Sequence, residues 1–136
     1  MQGFQHIYHH MSNLTPLEYI ALHPHNPKVV EKIKKAIKEH VNSCYPPNSN
    51  PKYKDWYFGI AEKPDNDRVS DHLSEKELAE LKDRTKKYAH SLANARQVEL
   101  ELCQEFGLEN CKRIGQPTIK SKWVYGFDWA NSKTKK

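Results

Sequence analysis

Apolar residues recur every three or four positions in two long segments of the chain, which is the spacing of amphipathic helices. The first segment starts with the capping pair Asn26-Pro27 and ends near Ser43. Its lysines fall between the apolar positions, so we expect them to face solvent. The second segment covers residues 92–106, and Gly107 is suited to end a helix there. Thr15 opens a shorter predicted helix that reaches about residue 23.

Aromatic and β-branched residues are concentrated in residues 56–60 (WYFGI) and 122–129 (KWVYGFDW), which predicts two strands. Residues 88–91 are predicted as a third, short strand. A capping box followed by many charged residues predicts a helix from residue 74 to about residue 87. The expected fold class is α+β, with a small mixed or antiparallel three-stranded sheet flanked by helices.

The chain is short enough for one domain, which we place at residues 26–130. Residues 1–25 form an N-terminal arm that contains the short helix, and residues 131–136 form a basic tail expected to be disordered. The arm either folds back on the domain or joins a second subunit, which would make a homodimer.

Charge is distributed unevenly along the chain. Residues 27–54 carry seven lysines and two glutamates, and residues 112–136 carry seven Lys or Arg and one Asp. Residues 55–111 between them carry eight basic and thirteen acidic residues. Two basic segments of this kind could line a nucleic-acid groove, although a solvated helix face and a lysine-rich tail account for them equally well.

The sequence indicates a cytoplasmic protein without a membrane partner. No apolar run approaches the roughly 18 residues of a membrane span, and the N-terminus lacks the pattern of a secretory signal. The three cysteines are odd in number and lack paired spacing, which favours reduced thiols.

Glu99 lies within the apolar stripe of the predicted helix at 92–106. An ionised carboxylate on a core-facing stripe is costly unless it is paired or bound to a metal. Two hypotheses stay open: a metal-binding or phosphate-site carboxylate, or a rim position that reaches water or pairs with Arg68 or Arg96. Glu101 and Glu105 fall on the opposite side of the helix, where we expect solvated charges.

The order of four motifs, WYFGI, P-x3-R-x3-H, ARQVE and WVYGF, resembles the GIY-YIG nuclease superfamily over roughly residues 27–129. Tyr57-Phe58-Gly59 matches the Tyr-Ile-Gly strand of that family. Arg68 and His72 match an arginine and a histidine on the helix that follows it, and Glu99 matches a metal-binding glutamate on a later helix. The resemblance is to a degenerate small phage or bacterial type, because the first motif strand is missing.

This resemblance implies phosphodiester hydrolysis with one divalent metal. Glu99 would hold Mg²⁺ or Mn²⁺, and Arg68 would contact a phosphate oxygen. Tyr57 would orient the attacking water or help to deprotonate it, and His72 would carry a proton. Each residue also has a structural interpretation: Tyr57 and His72 as packed residues, and Arg68 in an ion pair within an acidic turn.

The missing first strand leaves more than one function open. Tyr45 and Tyr88 are the two candidates to replace its tyrosine. The chain could be a metal-dependent endonuclease, or a degenerate relative that binds nucleic acid without cutting it. A different class of function is a non-catalytic phage counter-defence or inhibitor protein that binds a protein or nucleotide partner.

Overall fold

The computed structural model describes residues 14–63, 84–108 and 117–128. These residues form three α-helices and three strands. In chain order they are α1 (Pro16–Leu22), α2 (Pro27–Ser43), β1 (Trp56–Ala61), β2 (Arg84–Tyr88), α3 (Leu92–Phe106) and β3 (Trp123–Asp128), with a 3₁₀ turn at Tyr53–Asp55. The predicted α+β class is confirmed, since helices flank an antiparallel three-stranded sheet.

Each helix begins at a side chain that satisfies backbone N–H groups of its first turn. Thr15 and Glu18 form the predicted capping box of α1. Asn26 caps α2, and Ser91 caps α3. Gly107 ends α3 in the left-handed conformation, with φ 70°, which glycine adopts without a steric cost. These local signals explain why the helix bounds agree closely with the sequence prediction.

The sheet has the order β1-β3-β2, and β3 is antiparallel to both neighbours. Successive side chains on a strand point to opposite faces. Alternate residues of β1, namely Trp56, Phe58 and Ile60, therefore face α2 and α3 and join them in the hydrophobic core. Tyr57 lies on the other side, which we call the second face of the sheet.

The structure corrects the prediction for β2. A helix to about residue 87 and a strand at residues 88–91 were expected, but residues 84–88 form one strand. Only Thr85 is buried in it, because β2 has no strand on its outer side among the described residues. Charged side chains are tolerated at such an edge, and pairing with β3 outweighs the favourable helix propensity of arginine and lysine. The rest of that predicted helix lies outside the described residues.

The N-terminal helix folds back on the domain. Ile20 packs against the core, whereas Leu17 and Leu22 are 61% and 59% exposed. None of the helices in the described ranges is both long and apolar enough to cross a bilayer. Cys44 is a free thiol, but Cys103 is disulfide-bonded, so the expectation of reduced cysteines is wrong for Cys103.

An ion-pair network joins α2 to α3. The Lys34 ammonium lies 2.8 Å from a carboxylate oxygen of Glu101 and 2.9 Å from one of Glu105. It also pairs with Glu31, and Lys38 pairs with Glu105 at 2.9 Å. The expectation of a solvated side chain is therefore wrong for Lys34 and Glu101, which are 12% and 25% exposed, whereas Lys38 and Glu105 are paired but still reach solvent.

This network predicts a stability loss in acid. The hydrogen bond from Lys34 lowers the pKa of Glu101. Burial alone would raise the pKa of Glu105, but hydrogen bonds from Lys38 and Lys34 outweigh it and lower that pKa too. A lowered folded pKa gives stabilisation that is complete above the unfolded value of about 4.3 and is lost as the pH falls through the folded value.

We expect Lys34→Met to lower the free energy of unfolding at neutral pH by about 1–2 kcal/mol. The expected loss is small because water screens Glu105, whose side chain is 37% exposed. The variant should also lose less stability than the native protein below about pH 4.3. Urea unfolding across this pH range measures both effects, with Lys35→Met as the control. Parallel pH profiles for the native protein and Lys34→Met would contradict the expectation.

Candidate nucleic-acid interface

Tyr57, the first predicted site residue, belongs to an aromatic cluster on the second face of the sheet. Its ring centroid lies 5.4 Å from that of Phe127 and 6.2 Å from that of Tyr125. Both neighbours are almost fully buried, and Tyr57 is half-buried. These ring contacts give Tyr57 a packing role, which is the structural one of its two interpretations.

Glu99 is 8% exposed and forms an ion pair with Arg96, one turn earlier on α3. Arg96 was one of the two arginines considered as its partner. Within the described ranges, no group of three or more His, Cys, Asp or Glu side chains is placed to hold a metal ion. One carboxylate with water can bind Mg²⁺, so Glu99 stays a candidate ligand, but one of its oxygens already accepts from a guanidinium.

Tyr57 and Glu99 do not belong to the same side of the sheet. The helix α3 that carries Glu99 packs on the face with Trp56 and Phe58, whereas Tyr57 points to the second face. Arg68 and His72 lie outside the described residues, so their roles stay predictions. The implied arrangement of catalytic residues is thus not assembled by the described part of the chain.

The glycine of the Tyr-Phe-Gly motif has a packing role. Gly59 pairs with Tyr125 across the β1–β3 ladder, and a Cβ at Gly59 would overlap the Tyr125 ring. On the next rung the roles are exchanged, with the Phe58 ring lying over Gly126. This reciprocal packing explains the glycine without reference to a nuclease.

The two candidate replacements for the missing tyrosine differ in setting. Tyr45 follows α2, accepts a hydrogen bond of 2.9 Å from the Trp56 indole, and donates one of 3.3 Å to the carbonyl of Lys52. Burial raises the pKa of Tyr45, so its hydroxyl stays protonated at neutral pH. Tyr88, at the end of β2, is 42% exposed.

The exposed side of β2 combines positive charge with an aromatic ring. Arg84, Lys86, Lys87 and Tyr88 are all exposed. Their register opposite β3 places Arg84, Lys86 and Tyr88 on the second face of the sheet, while Lys87 points to the other face. Positive side chains therefore lie on both sides of this edge.

Aromatic residues from β3 and from the β2–α3 connection extend this edge. The Tyr88 ring lies 5.2 Å from that of Trp123 and 4.7 Å from that of His90. The Ala89 N–H donates to the Lys122 carbonyl at 2.6 Å, which brings Lys122 alongside. We call this set the β2 edge surface. It consists of Arg84, Lys86, Lys87, Tyr88, His90, Lys122 and Trp123.

Sequence reasoning missed this surface because residues 84–87 were expected to be helical. The usable signal was the segment RTKKY, in which Thr85 and Tyr88 favour a strand. Comparison of the chain with protein-family models, with curated proteins and with solved structures finds no match. The resemblance to GIY-YIG nucleases therefore rests on its motifs.

Proposed function

We propose that this protein binds nucleic acid along the β2 edge surface. The observation that supports the proposal is a row of exposed cationic side chains that ends at an exposed tyrosine. Lysine and arginine neutralise backbone phosphates and release counterions, which supplies most sequence-independent affinity. Aromatic rings beside such cations add base stacking. The fold class and the motif resemblance are compatible with this function, and binding does not require the catalytic arrangement.

Protection of the sheet edge is the competing explanation for the charges on β2. Exposed edge strands often carry lysine, because its charge prevents pairing with another sheet. That explanation accounts for Lys86 and Lys87. It does not account for Tyr88, because an exposed aromatic ring on an edge strand makes association easier. The combination of cations and ring favours a polyanionic ligand with flat bases.

Charge reversal tests the location of binding. We expect Lys86→Glu/Lys87→Glu to bind labelled oligonucleotides at least about tenfold more weakly than the native protein. The slope of log affinity against log salt concentration should become shallower by about one or two, which corresponds to the loss of one or two phosphate contacts. Fluorescence anisotropy titrations at several salt concentrations measure both quantities.

Lys32→Glu/Lys35→Glu is the matched control, because it makes the same charge change at exposed positions of α2. We expect it to keep most of the native affinity. Equal losses in the two double variants would show non-specific attraction by net charge, and native affinity in the β2 variant would contradict the proposed location.

A cleavage assay separates binding from nuclease activity. Because Glu99 pairs with Arg96 and Tyr57 points to the other side of the sheet, we expect bound DNA and RNA to stay intact in Mg²⁺ or Mn²⁺. Labelled single strands and duplexes are incubated with the native protein and with Glu99→Gln. Metal-dependent cleavage that disappears in Glu99→Gln would instead support a working GIY-YIG-type centre.

A protein partner is the second candidate function. The observation that favours it is the exposure of Leu17 and Leu22, which project from a helix that otherwise packs on the core through Ile20. Exposed apolar side chains grouped on one helix are typical of partner-binding sites. Failure to bind any nucleic acid would make this inhibitor or counter-defence role the better proposal. Its test is co-purification: a partner protein should co-purify with the native protein and be lost from the Leu17→Ser variant.

A further inference from the structure

The ring of Tyr88 has an unusual setting for an aromatic side chain of this sheet. The core-facing rings of Trp56 and Phe58 are buried, and so are Tyr125 and Phe127 on the second face. Tyr88 is 42% exposed, although it lies on the same ladder. Burial in the core therefore does not explain the placement of this ring.

Edge contacts hold the Tyr88 ring in place. It is tilted by 53° against the Trp123 ring and by 66° against the His90 ring, with both centroids close by. His90 adopts a left-handed backbone conformation, with φ 72°, two residues after the end of the strand. A ring fixed by two neighbours loses little side-chain entropy when a flat ligand stacks on it.

The position of Tyr88 relative to the cations selects the form of nucleic acid. Arg84 and Lys86 precede it on the second face at intervals of two residues, about 7 Å each. A backbone that follows these cations brings a base to the tyrosine. Bases in a duplex are stacked on each other and expose only their edges, so only an unpaired base can offer its flat face to the ring.

Resting on the binding proposed above, we infer that the ligand of the β2 edge surface is single-stranded nucleic acid, with an unpaired base stacked on Tyr88. Phosphates contact Arg84 and Lys86, and Trp123 supports the tyrosine from β3. Duplex binds through phosphate contacts alone and is therefore held more weakly. These residues contact phosphates and a base and do not distinguish ribose from deoxyribose, so the protein binds both DNA and RNA single strands.

Anisotropy titrations of labelled single-stranded DNA, single-stranded RNA and a duplex of the same sequence test this inference. The test variant is Tyr88→Leu, which keeps apolar contact with Trp123 but has no aromatic face. Tyr88→Phe keeps the ring, and Tyr19→Leu is the control for a half-buried tyrosine on α1. Urea unfolding verifies that each variant is folded.

We expect the native protein to prefer single strands over duplex. Tyr88→Leu should bind single strands about five- to a hundredfold more weakly, with little change for duplex, whereas Tyr88→Phe should keep the preference for single strands and Tyr19→Leu should bind like the native protein. Equal native affinity for duplex and single strand, or no loss in Tyr88→Leu, would overturn the inference while leaving nucleic-acid binding intact. No binding to any of the three ligands would overturn the proposed function as well.

Discussion

Asn94→Ala will lower the free energy of unfolding by about 2–4 kcal/mol, because it leaves one buried and one partly buried backbone group without their partners. Asn94 is 5% exposed. Its Oδ1 accepts a hydrogen bond of 2.8 Å from the Asn26 N–H, and its Nδ2 donates one of 2.8 Å to the Ala89 carbonyl. One side chain thus joins the starts of α2 and α3 to the end of β2.

The control for this substitution is Asn42→Ala. Asn42 accepts one hydrogen bond of 2.6 Å from the Tyr53 hydroxyl at an exposed position, where water can replace the lost partner. We expect this variant to lose about 1 kcal/mol or less. The midpoints of urea unfolding compare the two variants. Similar midpoint shifts in both would show that Asn94 does not join the three segments as described.

Gly126→Ala will destabilise the sheet by about 1–3 kcal/mol, because the new methyl group has no room. A Cβ built at Gly126 lies 2.5 Å from two carbon atoms of the Phe58 ring. That ring is 2% exposed and packs against Trp56 and Phe106, so it cannot move away without disturbing the core. The rise in β propensity from glycine to alanine is too small to offset the overlap.

A double-mutant cycle with Phe58→Leu isolates this overlap. Leucine removes the ring that lies over Gly126, so we expect Gly126→Ala to cost less than about 1 kcal/mol in the Phe58→Leu background. The free energies of unfolding of the native protein, both single variants and the double variant give the coupling. If the free-energy losses of the two single variants simply add up in the double variant, overlap with the Phe58 ring is not the reason why alanine is unfavourable at Gly126.

The helices could be predicted from sequence because their signals are local. The caps Thr15, Asn26 and Ser91 and the terminator Gly107 act within one turn of the residues they affect. The strand β2 could not be predicted in the same way. Its residues are mostly charged, and they form a strand because β3 supplies hydrogen-bond partners from about forty residues further along the chain.

The candidate site could be predicted only in part, for a similar reason. The periodicity of α3 placed Glu99 within the apolar stripe and left open whether its carboxylate reaches water; the structure shows that Glu99 is buried. The choice between Arg96, Arg68 and a metal depends on tertiary geometry, so the sequence left it open. Lys34 was placed on the solvent side because its partners Glu101 and Glu105 belong to another helix, and their approach is set by packing of the core.

Lysine footprinting of the native protein tests the central claim most directly, since it requires no substitution. The protein is acetylated briefly with and without saturating single-stranded oligonucleotide, and modification at each lysine is measured by mass spectrometry. We predict that the oligonucleotide protects Lys86, Lys87 and Lys122, while Lys32 and Lys35 on α2 react as before. Protection of the α2 lysines with none on the β2 edge surface, or no protection anywhere, would contradict the account.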